Sequence, residues 1–158
     1  MTLQEQLSIY FKGNYSAVLF VTELLGLWHT WDDLIDQDKP LTDEQINSAF
    51  IGALVKLPRN DFYQANFWLI NPIVSNAITN WITSTSLERD DSEYALDTLD
   101  IAYKLRNSYL DIISTCAEII GGREWASAVI VDSQKASSIR KPFADYKADL
   151  DIEKGLRG

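Results

Sequence analysis

Four ionisable side chains crowd one short run, His29-Thr30-Trp31-Asp32-Asp33-Leu34-Ile35-Asp36, and Gln37-Asp38 follows. On a helix, residues three or four apart are neighbours, so Asp32 and Asp36 share a face, and so do His29 and Asp33. Negative charge at a helix C-terminus also opposes the macrodipole. Such crowding calls for an offset, and a hard divalent cation, Mg²⁺ or Mn²⁺, held by Asp32, Asp33 and Asp36 would supply one. His29 would then serve as general acid or base. The plainer alternative is a solvated helix end, where the dipole costs only about 0.3–1 kcal/mol. A calcium loop is not expected: counted from Asp36, the sixth position is Leu41 rather than Gly and the twelfth is Asn47 rather than Glu.

A second polar series, Asp97, Asp100, Lys104, Asn107, Asp111, Ser114 and Glu118, recurs at intervals of three and four. Leu96, Leu99, Leu105, Tyr109, Ile112, Ile113, Cys116 and Ile120 form the opposite face. Turned inward, Asp111 and Glu118 would complete a metal shell or position water, with Asn107 and Ser114 touching the ligand. Turned outward, the same series is the wet side of an amphipathic helix, with Asp100 and Lys104 as an ion pair. Trp28 and Trp31 flank the first cluster and could wall a pocket for a flat ligand, or simply fill the core. Cys116 reads as a buried structural thiol, and Arg123, Lys135, Arg140 and Lys141 as a small basic face. Gly-rich phosphate loops and nucleophile elbows do not occur.

Asp32-Asp33-Leu34-Ile35-Asp36 resembles the DDxxD motif of class I isoprenoid (terpenoid) synthases, and Asp111 to Glu118 is similar to part of their second metal motif. The resemblance implies two acidic helix motifs facing each other across an α-helical cavity and holding magnesium on a diphosphate. Leu110 departs from it, standing where the second motif's first ligand belongs, and the chain is much shorter than that family's domain. The glutamate-rich spacing of MazG-type nucleotide pyrophosphatases is not present. The segment Leu27 to Asp36 and the helix end Ile119-Ile120-Gly121-Gly122 resemble short acidic all-α proteins of tailed phages. That likeness implies an accessory protein of the host cytoplasm that binds a host or defence component, or sequesters a nucleotide-like ligand.

The elements that must position these residues are helices. Gly13 closes a first helix and Asn14 caps a long one, Tyr15 to about Asp36, whose wide apolar face suits a central position. Thr42 and Gln45 form a capping box for a helix to Leu57 with Ile46, Phe50, Ala53, Leu54 and Leu57 as its expected buried stripe. A short helix over 61–70 follows. Asn71-Pro72 starts another, and Ser92 caps the longest, running to Ile120 and stopped at Gly121-Gly122. A last helix runs from Arg123 towards Ile139. The expectation is one all-α domain over 1–141, a bundle of six or seven helices around two long central ones, with a charged, frayed tail over 142–158.

Composition sets the outer limits. The chain of 158 residues is 46% hydrophobic and 11% aromatic, enough for one well-filled core. With 23 Asp+Glu against 14 Lys+Arg its net charge is −9, which disfavours direct binding to nucleic acid. Residues 1–122 carry 17 acids and 7 bases, so the excess lies in the helical body. One cysteine and no membrane-length apolar run lead us to expect a reducing cytoplasm. Three roles follow as expectations: a binding protein with a host protein or small ligand as partner, a magnesium-dependent enzyme on a phosphorylated substrate, or a subunit of a homo-oligomer.

Overall fold

A computed structural model describes residues 1–37, 39–93 and 95–157, without the side chains of residues 156 and 157; Asp38 of the acidic run and the terminal glycine lie outside it. Helices α1 (Leu3–Tyr10) and α2 (Tyr15–Asp36) begin at capped ends. Thr2 and Glu5 form a reciprocal capping box, and the Asn14 side chain accepts from the Ala17 amide at 3.0 Å. Between them the chain turns through Gly13 at φ +78°, a conformation that favours glycine. Helix α3 (Asp43–Ile51) carries the capping box of Thr42 and Gln45 and continues into a π-helical turn, Gly52–Lys56. Two short helices, α4 (Leu57–Arg59) and α5 (Asp61–Ala65), lead into α6 (Phe67–Glu88).

Helix α6 corrects one expectation. It starts at Phe67 rather than at Asn71, and Pro72 lies inside its second turn. As the sixth residue of the helix it lies beyond the unpaired first-turn donors, so it leaves the Trp68 carbonyl without its i+4 amide. The expected longest helix is likewise divided. Residues 99–106 form α7 (Leu99–Arg106), the chain breaks at Asn107-Ser108, and α8 (Tyr109–Ser133) follows. At the break the Asn107 side chain donates to the Tyr103 carbonyl at 2.8 Å, a local bond that competes with helix continuation.

Within α8, Gly122 (φ +86°, ψ 176°) kinks the chain where the glycine stop was expected. Its neighbour Gly121 has a different reason: a Cβ there would stand 2.4 Å from the Trp125 ring.

The core joins α1, α2, α6 and both arms of α8. Leu7, Phe11, Phe20, Val21, Ile70, Ile112, Ile113 and Cys116 are almost wholly enclosed. Each large apolar side chain buried in this way contributes about 1.5–3 kcal/mol. The all-α expectation holds: among the described residues the segments are helical, with nine α-helices where six or seven were expected, two of the nine being α4 and α5 of three and five residues. Helices α2 and α6 have 22 residues each. No described helix is long and apolar enough to cross a membrane.

The expected frayed tail is the clearest correction. Residues 143–157 form α9 (Phe143–Arg157), and Tyr146 and Leu150 are buried in a small second cluster with Tyr103 and Leu99 of α7. Phe143, Tyr146 and Leu150 recur at three and four, so the helix has an apolar stripe despite its charge. The expected domain boundary at residue 141 therefore separates no independent part.

Candidate functional site

The acids at the end of α2 are matched by an arginine. Arg106, in the last turn of α7, binds Asp32 with Nη2 and Glu88 of α6 with Nη1, the latter at 3.0 Å. Asp36 lies 3.8 Å from the same guanidinium, and 3.8 Å from Arg89 on its other side. Tyr146 of α9 closes the cluster by donating its hydroxyl to Glu88 at 2.6 Å. Four helices thus meet in one ionic knot. Its members are well enclosed: the side chains of Asp36 and Glu88 are only 8% and 9% exposed, those of Arg106 and Asp32 21% and 27%.

Burial raises the Asp36 carboxyl to about 6, helped by Asp32 and Glu153 and opposed by Arg106. Glu88 is also raised by burial, against the pull of Arg106 and Tyr146. Burial works to strip Arg106 of its proton, but Glu88, Asp32 and Asp36 overrule it and hold the charge more firmly. The offset that crowding at a helix end calls for is therefore a guanidinium. Among the described residues no three acids, histidines or cysteines are arranged to hold a metal ion.

Beside the knot lies a polar cavity of about 610 Å³ between α2, α7, α9 and the segment before α9. Trp28, His29, Asp32, Asp33 and Asn107 of the sequence-derived candidates line it, with Arg106, Glu88 and Tyr146. Asp111, Ser114 and Glu118 are not among its walls. Beyond the break, α8 buries Leu110, Ile112, Ile113, Cys116 and Ala117. Asp111 and Glu118 consequently point to solvent, where Glu118 pairs with Arg123 at 3.5 Å. Ser114 donates to the Asp111 carbonyl at 3.0 Å. The two acidic motifs do not face each other. Of the expected basic face, Arg140 is turned to Tyr103 and the Gln134 carbonyl, and Lys141 pairs with Asp149.

A second space also borders Trp28. A cleft of about 710 Å³ is walled by α2, α6 and the α3-to-α5 segment. Trp28 and Trp31 line it, with Leu24, Leu27, Leu34, Phe50, Tyr63 and Phe67. Here the stripe of α3 departs from expectation. Of Ile46, Phe50, Ala53, Leu54 and Leu57 only Leu57 is buried, while Phe50 is 61% and Leu54 72% exposed. The π-helical turn packs closely on α2: a Cβ on Gly52 would lie 2.3 Å from the Glu23 carboxylate.

A chain of aromatic rings gives the cleft rigid sides. Phe20 stacks on Tyr63 at 4.6 Å between ring centres, Tyr63 meets Phe67 at 5.4 Å, and Trp31 meets Trp81 at 5.0 Å. Trp28 is buried and borders both cavities, and among the described residues its indole N–H has no hydrogen-bond partner.

Sequence reasoning named the two tryptophans but missed Arg106, Glu88 and Tyr146, and assigned the α3 stripe to the core. A basic residue in the last turn of a helix is a weak signal, and an apolar stripe reads the same whether a domain or a ligand covers it. Comparison with protein-family models, with curated proteins and with solved structures finds no match.

Proposed function

We propose that this protein is a non-catalytic binding module, and that the cleft between α2, α3 and α6 receives an apolar group of its ligand or partner. The cleft itself carries the reading. Its volume of about 710 Å³ falls in the ordinary range of ligand sites, about 300–1,000 Å³, and its walls are aromatic and aliphatic. Trp31 (39%), Leu34 (44%), Phe50 (61%) and Phe67 (37%) are all left partly in water around it. Aromatic and aliphatic side chains left partly in water around a concave apolar cleft are the usual lining of a binding site.

No lysine or arginine is among the lining residues, so a nucleotide's phosphates would find no counter-charge there. A magnesium-dependent enzyme would need Asp32 and Asp36 released from Arg106, and Asp111 and Glu118 brought round to the polar cavity. The accessory role expected from the sequence, occupying a partner or sequestering a ligand, asks for neither.

Titration with the neutral apolar fluorophore N-phenyl-1-naphthylamine tests the reading. Saturable fluorescence enhancement is expected, with a rise in melting temperature that corresponds to about 2.7 kcal/mol at a hundredfold excess over Kd. Phe50→Asp should abolish both while leaving the helical circular dichroism unchanged. Wild-type protein that gives no saturable enhancement would refute it.

A further inference from the structure

We propose that helix α9 is a hinged lid on the polar cavity: it swings out about Pro142 while the rest of the domain stays folded, and so opens the cavity to solutes. The apolar cleft has no part in this, so a test of α9 leaves the reading of that cleft untouched.

The base of the lid is fixed. Ile139 is buried in the main core, and the Tyr109 hydroxyl donates to its carbonyl at 2.6 Å. The Tyr103 hydroxyl donates to the Lys141 carbonyl. Arg140 turns back to the Tyr103 hydroxyl and, at 2.9 Å, to the Gln134 carbonyl. Pro142 follows, exposed and with no amide to donate, and its own carbonyl accepts from the Tyr146 amide of α9 at 3.0 Å. A residue between a pinned segment and the start of a helix is where a hinge belongs.

The lid itself is lightly held. Among the described side chains of α9 only Tyr146 and Leu150 are buried, and they pack with Tyr103 and Leu99 in a cluster separate from the main core. The pair of Lys141 and Asp149 is more than half exposed on both sides and adds little. Elements with so little buried apolar surface are the ones that open before the rest of a domain. Tyr146, Asp149, Leu150 and Glu153 supply part of the wall of the cavity of about 610 Å³. Lifting α9 removes that wall and uncovers Glu88, which the Tyr146 hydroxyl holds in the closed state.

Freed of its cluster, a helix of 15 residues is marginal in water, so lifting is read by amide hydrogen exchange of the full chain. The α9 amides should exchange at least about a hundredfold faster than the slowest amides of α2 and α6, still about tenfold or more below the unprotected rate, and with little dependence on low urea. Ile112→Val, in the main core, should speed the slowest amides of α2 and α6 about two- to tenfold and leave α9 unchanged. Leu150→Asp should leave the α9 amides unprotected while α2 and α6 stay protected. A thiol reagent reads access of a solute: in Leu150→Cys the new thiol should react at least about a hundredfold faster than Cys116, the buried native one.

Amides of α9 that are released only together with those of α2 and α6, with the same urea slope and the same response to Ile112→Val, overturn the proposal. So does a Leu150→Asp chain that unfolds throughout, or equal reaction of the two thiols. Unprotected α9 amides in the wild type would also overturn it, because a helix that never closes is no lid.

Discussion

Replacing Arg106 by methionine removes the charge from the ionic knot while keeping most of the side chain's volume. With Asp32, Asp36 and Glu88 against Arg106 and Arg89, the knot carries −1; the substitution makes it −2. Whether the exposed-pair value of about 0–1 kcal/mol or the buried-pair value of about 3–5 kcal/mol applies depends on enclosure. Glu88 and Asp36 are more than nine-tenths enclosed, but Arg106 and Asp32 keep some contact with water, so the low end of the buried range, about 3 kcal/mol, is expected. For a domain of this size that loss lowers Tm by about 6–12 °C near pH 7.5.

Near pH 5 the loss should shrink, because Asp36 and Glu88 take up protons once the guanidinium is gone and the repulsion between them is relieved. Arg106→Met combined with Glu88→Gln should recover part of the stability at pH 7.5, since the remaining acids then have one fewer neighbour. Thermal and urea unfolding at the two pH values measure all of this. A loss under about 1 kcal/mol at pH 7.5, or one of equal size at both pH values, would falsify the assignment of Arg106 as the charge that holds the four helices together.

Three further outcomes are expected. Tyr146→Phe deletes a hydrogen bond to the Glu88 carboxylate and should cost about 1.5–3 kcal/mol, with amide exchange in α9 accelerating more than in α2; equal acceleration throughout would count against α9 being secured there. The Asp36 carboxyl, at about 6 when folded and 3.8 as its ordinary value, keeps a proton in the folded protein that the unfolded chain has already released. Its contribution to stability therefore falls as pH rises between about 4 and 6, and Asp36→Asn should flatten that part of the Tm-against-pH curve; an unchanged curve would contradict the placement of Asp36 among Asp32, Glu88, Glu153 and the two arginines. Gly122→Ala forces a Cβ into a conformation open almost only to glycine and should destabilise the fold by about 1–3 kcal/mol, read by urea midpoint.

What could be read from the sequence followed the reach of each signal. The start of α2 at Asn14 and of α3 at Thr42 are decided within three residues by capping side chains, and the structure places both as the pattern expects. The break between α7 and α8 has no glycine or proline to announce it. It depends on the Asn107 side chain bonding back to the Tyr103 carbonyl, and at its place in the polar series that asparagine reads equally well as one more residue of the helix's wet face. Helix α9 was hidden by its charge, although Phe143, Tyr146 and Leu150 have helical spacing. In the site, the acids of α2 were visible and their partner was not, because Arg106 lies 74 positions from Asp32 and pairing at that distance leaves no periodic trace. The stripe on α3 was legible as apolar, but nothing in its spacing distinguishes a face covered by the fold from one kept for a visitor.

Separation along the chain also sets a timetable for biosynthesis. At about 5–20 residues per second, a ribosome that has finished Asp32 needs roughly 4–15 s more to deliver Arg106. Tyr146, the second group to reach Glu88, comes later still. Until then the nascent N-terminal segment holds its acids without the guanidinium that reconciles them, so the closing of this knot is a late event in the life of each newly made chain.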